Sequence, residues 1–437
     1  MRATVTDIID ELKWRGAVAQ TTDEDALRQA FAEGPVTVYC GFDPTAPSLH
    51  FGNFVQLVAL RRLQRAGHRV ICLVGGSTGQ IGDPKPTSER VLKTKEQTAA
   101  NVGRIKALVQ PFLDFEGTDP DCAHAALLVD NLDWTAPLSA LAFLRDVGKH
   151  FRVNQMLRKE SVAARLESQE GISYTEFSYQ ILQAMDFLEL YRTYGCTMQI
   201  GGSDQWGNLT AGVDLIHRVE GVSVHALTSP LLTDAAGVKF GKSEGNAIWL
   251  SADMTSPYAF YQYFLNMEDA SVVKLLKVFT DRDREEIAEL ERQVSEEPWR
   301  RAAQRSLAGD MTTLVHGAEA TGAVQAASEA LFGKGDLAAL DARTLADATA
   351  ELPGGEVPTG ASLVDALVAS GLVDSRNAAR RVLADGGVSV NNTKVTDPEG
   401  ALSERDFLHG QVAILKRGRR SLAAVRRLPG VAGANSA

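Results

Sequence analysis

The sequence predicts an α/β fold: a Rossmann-like parallel sheet in residues 1–250, a helical domain at 251–350, a linker at 351–360 and a small α+β domain at 361–437. Three observations carry this prediction. Apolar β-type runs at 36–40, 69–74 and 125–129 alternate with helical stretches, the pattern of right-handed βαβ units. Residues 256–350 hold amphipathic helical runs and few β-branched strand runs. After the Pro- and Gly-rich stretch 353–360 the charge changes sign: residues 360–437 are net +4 within a chain of net charge −10.

Bulk properties narrow the class. With 437 residues and 44% hydrophobic content the chain can bury several cores, which excludes global disorder. The four cysteines, Cys40, Cys72, Cys122 and Cys196, form no CxxC pair, so reduced thiols and no metal site are expected. The N-terminus lacks the apolar core of a signal peptide, and no apolar run is long enough to span a bilayer. A cytoplasmic protein with no membrane partner is expected.

Residues 3–33 read as two amphipathic helices, with Ile8, Ile9, Leu12 and Trp14 in one patch and Ala26, Leu27, Ala30 and Phe31 in the other. The run 36–40 then breaks at Asp43-Pro44 and re-enters a helix near Gly52-Asn53. A strand, a turn and a helix start bring backbone N–H groups to where a phosphate can sit. Tyr39, Cys40, Asp43, His50 and Asn53 lie around that corner.

The second run, 69–74, closes on glycines at 76, 79 and 82. Their GxxGxxG spacing is not the GxGxxG of a dinucleotide fold. It fits a tight turn where backbone passes close to a ligand or another strand. Asp83 follows, facing the pocket of Asp43. The third run ends in Asp130-Asn131, again at a strand end, where ligands of open α/β sheets bind. Residues 143–151 mix charge with large apolar groups, which fits a packing helix or a subunit interface.

Residues 174–194 form the most informative helix. Most of its circumference is apolar, yet Tyr179, Gln183 and Asp186 recur at spacings of four and three, on one face. A buried Asp or Gln without a partner is costly, so this row calls for a polar ligand. A short strand at 197–200, which includes Gln199, leads into a turn bearing Asp204 and Gln205. Further on, Lys239, Lys242 and Ser243 sit on a Gly-containing stretch. It is not a P-loop, because the required glycine is Ala236. Two such lysines suit charge neutralisation on phosphates, or an ordinary solvated loop. In the basic tail, Arg376, Arg380 and Arg381 fall on one side of a helix, and Lys416, Arg417, Arg419 and Arg420 cluster near a strand end. A small basic module of this kind suits structured RNA.

On the motifs at 39–45, 50–53, 75–84, 143–151, 179–186, 199–206 and 239–243 the chain closely resembles bacterial tyrosyl-tRNA synthetases, which are class I aminoacyl-tRNA synthetases. The resemblance covers nearly the whole length. It implies that L-tyrosine attacks ATP to give tyrosyl-adenylate and pyrophosphate, and that the tyrosyl group then passes to the 3′ end of tRNA(Tyr). It also implies Mg²⁺ with the ATP and a homodimer built around 143–151. By this resemblance Tyr39 and Asp186 contact the phenol hydroxyl, and Asp83, Tyr179 and Gln183 hold the ammonium group. Gln199 and Gln205 line the pocket or its carboxylate side. Cys40 and Asp204 contact the ribose. Asp43, His50, Asn53, Lys239, Lys242 and Ser243 serve ATP, with His50, Lys239 and Lys242 stabilising the pentavalent phosphate. Asn53 stands where a second histidine is usual. The loop after Asp83 is one residue shorter than in common relatives, and Lys85 or Arg90 supplies its cationic contact to ATP or tRNA. A tryptophanyl-tRNA synthetase shares this architecture, but Tyr39 with Asp186 and the basic tail argue against it. A synthetase-derived RNA-binding cofactor has no need of His50 and the two lysines.

Overall fold

The computed structural model describes residues 7–85, 88–169, 171–233, 247–332, 335–418 and 421–428. Of the predicted site residues, Lys239, Lys242, Ser243, Arg419 and Arg420 lie outside the described residues. The chain groups into two units, Met1–Thr255 with Met267–Leu307 and Ser256–Asn266 with Ala308–Ala437.

The first unit is built on a six-stranded sheet. Its strands are β1 (Gln20–Thr21), β2 (Thr37–Phe42), β3 (Arg69–Val74), β4 (Leu127–Asp130), β5 (Met198–Gly202) and β6 (His225–Ser229), in the order β1-β6-β5-β2-β3-β4. All neighbours are parallel except the short edge pair β1–β6. From β2 the chain steps outward to β3 and β4 on one side. It later resumes with β5 and β6 on the other. The order therefore reverses between β2 and β5, the place where open α/β sheets leave a crevice at their C-terminal ends. Strands β1 and β6 have no counterpart in the sequence reading. β6, His225-Ala-Leu-Thr-Ser229, lacks an apolar β-branched run, and β1 is a two-residue edge that only its partner makes regular.

The helix Phe51–Arg65 crosses from β2 to β3. Phe51, Phe54, Leu57, Leu60 and Leu63 on it are buried. Phe54 stacks on Phe279 at 5.7 Å with the rings 8° from parallel. The Arg15 guanidinium donates to the carbonyls of Lys277 and Thr280, and that of Arg62 to Val278 and Thr280. The helices Asp269–Phe279 and Arg284–Glu296 thus pack into the sheet unit, so the 251–350 stretch is divided between the two units. These partners lie far apart in the chain, which local periodicity cannot register.

The second unit carries helices Pro257–Leu265 and Ala342–Thr349 and a five-stranded sheet. The strands are β7 (Gly354–Val357), β8 (Val388–Val390), β9 (Thr393–Lys394), β10 (Val412–Arg417) and β11 (Ser421–Arg427), in the order β7-β11-β10-β8-β9. Helices Leu363–Ala369 and Arg376–Ala384 cover it, and Leu363, Leu367, Leu383, Phe407, Leu415 and Val425 fill the space between. The expected linker at 351–360 needs correction, because β7 lies within it and pairs in parallel with β11. Its glycines serve close packing. A Cβ on Gly354 would stand 2.0 Å from the Ala424 carbonyl oxygen, and one on Gly355 2.3 Å from that of Ala369.

Candidate amino-acid and nucleotide site

The site forms at the sheet reversal. Tyr39 of β2 is in register with Gln199 of β5, so both side chains project from one face of the sheet. The helix Tyr174–Tyr194 lies over that face, with the Tyr39 ring 5.2 Å from Phe187. Ser173 caps its start by accepting from Glu176 N–H, and Gly195 ends it in the left-handed conformation. Three buried atoms here, Tyr39 Oη, Gln183 Oε1 and Gln199 Oε1, have no hydrogen-bond partner among the described residues. Each such atom costs about 1–3 kcal/mol when left without a partner in a finished site. Three of them on facing elements leave polar capacity that a polar guest would satisfy.

Asp186 is fixed differently. Its carboxylate accepts from Asn131 Nδ2 at 2.9 Å and Trp134 Nε1 at 2.8 Å. Asn131, fully buried at the end of β4, also donates to Thr78 Oγ1 and accepts from Ser77 N–H. Thr78 donates to Asp43 Oδ1 at 2.6 Å, and Tyr179 donates to Asp43 Oδ2 at 2.8 Å. Asp186 and Tyr179, one near each end of the polar row, are therefore joined through Asn131, Thr78 and Asp43. The glycines permit this closeness. A Cβ on Gly75 would lie 2.1 Å from Asp43 Oδ1, one on Gly76 2.2 Å from Asp130 Oδ1, and one on Gly79 2.5 Å from the Pro44 ring.

Burial dominates the electrostatics. It pushes the Asp186 carboxyl up to about 7, against the lowering effect of Asn131 and Trp134, with Asp43 and Asp130 adding to the rise. Burial raises the Tyr39 hydroxyl, and the Asp186 charge raises it further. Burial also raises Asp43, opposed by Thr78 and Tyr179. A carboxyl raised on folding adds stability at acid pH that is lost as pH climbs through its folded value. Between about pH 4 and pH 7 the ligand-free protein should therefore lose roughly 4 kcal/mol through this group. Denaturant unfolding across that window will show a steeper decline for the native protein than for Asp186→Asn; parallel curves would refute the assignment.

A second cluster surrounds Asp83, which follows Gly82 at φ 83°. Lys159 Nζ and Asn208 Nδ2 approach Asp83 Oδ1 at 2.8 and 3.2 Å, and Gln205 Nε2 donates to Oδ2 at 3.1 Å. Asp83 and Gln205 are thus brought together, while Asp204 stays exposed in the turn after β5. His50 precedes the Phe51–Arg65 helix, and Asn53 Oδ1 accepts from His50 N–H at 3.3 Å. The asparagine side chain thus caps this helix start. Ile248–Leu250 braces the corner: Phe51 N–H donates to the Ile248 carbonyl and Leu250 N–H to that of Leu49. Cys40 is 2% exposed, in register with Cys72, with its Sγ 3.8 Å from the Gly41 carbonyl oxygen.

Sequence reasoning does not assign Thr78, Asn131, Trp134, Lys159 or Asn208. Asn131 carries a usable signal, because it closes a strand whose end is a ligand position. Lys159 and Asn208 carry none; they meet only through the fold.

The reversal point of a parallel sheet, here gathering unpartnered buried polar groups beside a helix start, is the place where open α/β folds bind their ligands. Residues 32–333 match the family model described as tRNA synthetases class I (W and Y), and the chain belongs to this family. Residues 344–425 match the Tyrosine--tRNA ligase SYY-like C-terminal domain. Among curated relatives, Tyrosine--tRNA ligase of Streptomyces coelicolor is 61% identical over 96% of this chain and 99% of its own length. That of Acidothermus cellulolyticus is 55% identical over 97% and 100%. A crystal structure of a C-terminally truncated Aspergillus nidulans mitochondrial tyrosyl-tRNA synthetase superposes with a TM-score of 0.67 at 31% identity, covering 75% of this chain and 94% of that one. A tryptophanyl-tRNA synthetase from Encephalitozoon cuniculi bound to tryptophan, at 14% identity and a TM-score of 0.53, shares the fold.

Proposed function

We propose that this chain is a tyrosine–tRNA ligase. It joins the carboxylate of L-tyrosine to the α-phosphorus of ATP, expelling pyrophosphate, and then transfers the tyrosyl group to the 3′ end of tRNA(Tyr). The observation that carries this reading is the set of three unpartnered buried atoms on Tyr39, Gln183 and Gln199 beside the fixed carboxylate of Asp186. A phenol hydroxyl both donates and accepts, so it pairs with Asp186 and Tyr39 at once. Tyr179, Gln183 and Asp83 are assigned to the ammonium group, and Gln199 and Gln205 to the pocket wall and carboxylate side. A carboxylate offers about four acceptor positions, so Asp83 keeps capacity beyond its present partners.

ATP is assigned to the corner at Asp43, His50 and Asn53, with Cys40 and Asp204 toward the ribose side. Lys239, Lys242 and Ser243 join this set on the sequence resemblance. Catalysis then rests on positioning and on charge stabilisation at the phosphate, without a covalent enzyme intermediate. Mg²⁺ is proposed as the companion of the ATP phosphates, whose oxygens suit it. Among the described residues no group of three His, Cys, Asp or Glu side chains gathers to hold a metal ion alone.

The remaining assignments are organisational. A homodimer is supported by exposed large apolar side chains on either side of residues 143–151, Leu141 at 81% and Val153 at 60% accessible. Residues 1–250 are assigned to activation, 251–350 to the anticodon arm and 361–437 to RNA binding, in the cytoplasm. No described helix is long and apolar enough to cross a membrane. Tyrosine-dependent ATP–pyrophosphate exchange, followed by charging of tRNA(Tyr), tests the reading. Exchange driven by tryptophan, or none with any amino acid, overturns it.

A further inference from the structure

The polar row on the Tyr174–Tyr194 helix has a fourth member. Glu176 stands three residues before Tyr179 and seven before Gln183, on the same face one turn nearer the helix start. It is 1% exposed and pairs at 3.0 Å with Arg165, also 1% exposed. Its other carboxylate oxygen accepts from Arg90 N–H at 2.9 Å. Arg165 also donates to the carbonyls of Ser88 at 2.8 Å and Gly171 at 2.9 Å, with that of Lys85 at 3.4 Å. Arg90 Nε in turn donates to the Asp83 carbonyl at 2.8 Å, and its side chain lies where a Cβ on Gly82 would touch it at 3.1 Å. One buried ion pair thus ties the substrate helix to Ser88 and Arg90, and Arg90 in turn reaches the Asp83 carbonyl.

Stability alone is a poor reason for such a pair. Taking two charges out of water costs several kcal/mol per ion, and apolar replacements of equal volume are often as stable. What apolar groups cannot do is give the loop's Ser88 carbonyl and Arg90 N–H fixed partners. We propose that Arg165 and Glu176 are positioning residues for the ammonium end of the amino-acid site: they set the height of Asp83 relative to Tyr179 and Gln183 on the helix. This rests on the reading that Asp83 holds the substrate ammonium. At the phenol end, Asp186 takes its hydrogen bonds from Asn131 and Trp134, and neither of these bonds to Arg165, Glu176 or Arg90.

The test compares two preferences in the full-length protein. One is binding of tyrosine over 3-(4-hydroxyphenyl)propionate, which keeps the phenol and carboxylate and lacks the ammonium. The other is tyrosine over phenylalanine. The paired replacement Arg165→Met with Glu176→Leu removes the tie and leaves no unpaired buried charge. It should narrow the ammonium preference by roughly ten- to a hundredfold, the loss that small misplacements produce. The phenol preference should stay near that of the native protein, while the melting temperature falls modestly because the Ser88 and Gly171 carbonyls and the Arg90 N–H lose their partners. An unchanged ammonium preference, or both preferences falling together with stability, overturns the proposal. Should the paired variant fail to fold, Arg165→Lys keeps the charge but not the fork of donors, and must shift the ammonium preference in the same direction to a smaller extent. Asp83→Asn separates the layers. If it leaves the ammonium preference intact, the underlying assignment fails. If it removes that preference while the paired variant does not, only the positioning role fails.

Discussion

In an Asp186→Ala variant, phenylalanine will drive ATP–pyrophosphate exchange at a rate far closer to that of tyrosine. A site built to pair a hydroxyl leaves its own polar groups stranded when the hydroxyl is missing, and the penalty falls on the wrong substrate. Tyrosyl-tRNA synthetases are the known example of this effect, with discrimination of about 10⁵ against phenylalanine without editing. On the proposed assignment the penalty falls on Asp186 and Tyr39. A hydrogen bond to a charged group contributes about 1.5–3 kcal/mol and a neutral one about 0.5–1.5. Loss of Asp186 should therefore reduce discrimination by roughly ten- to a hundredfold, and Tyr39→Phe by roughly two- to tenfold. Asp186→Ala also strands the donors on Asn131 and Trp134, partly offset by removing a buried carboxyl. The measurement is kcat/KM for exchange with each amino acid. If either variant rejects phenylalanine as the native protein does, the phenol end has been placed wrongly.

Replacing Arg380 and Arg381 together with glutamine will raise the KM for tRNA in charging by roughly ten- to a hundredfold and leave tyrosine-dependent exchange untouched. Both are exposed on the Arg376–Ala384 helix, and neither forms an ion pair among the described residues; their bonds go weakly to Asn377, at 3.3 and 3.4 Å. Arg376 differs, because Asp365 holds it at 2.6 Å, so its replacement should have the smaller effect. Arg417 donates to the Leu372 carbonyl, which marks it as a structural member of the strand end. Each arginine–phosphate pairing removed should lower the salt dependence of binding by about 0.7–0.9 in log–log slope. A raised KM with an unchanged slope would mean that these arginines act without touching phosphate.

The sheet and the polar row are legible in the sequence because both are periodic. Apolar runs bounded by Gly, Pro and acids locate β2, β3, β4 and β5, and a spacing of four and three puts Tyr179, Gln183 and Asp186 together. The frame behind them is not legible. Asn131 and Trp134 reach Asp186 from the far end of β4, and Lys159 and Asn208 reach Asp83 from two other segments. Glu176 belongs to the same row but looks like an ordinary acid in the first turn of a helix. The glycines of β7 mislead for a related reason: in sequence, a glycine that yields and a glycine that is pressed are the same letter. Only the Ala424 and Ala369 carbonyls distinguish them.

The contrast between Tyr39 and Asp186 has a consequence for redesign. The hydroxyl of Tyr39 and the amide oxygens of Gln183 and Gln199 bond to nothing else among the described residues, so these polar ends can be recoded for an altered side chain, provided the replacement at Tyr39 keeps the buried ring's volume against Phe187. Asp186 is wired through Asn131 and Thr78 to Asp43 and Tyr179, and a library that varies it alone would disturb the opposite wall. A search for variants that accept modified tyrosines should therefore diversify Tyr39, Gln183 and Gln199 first. Asp186, Asn131 and Trp134 should change only as a trio.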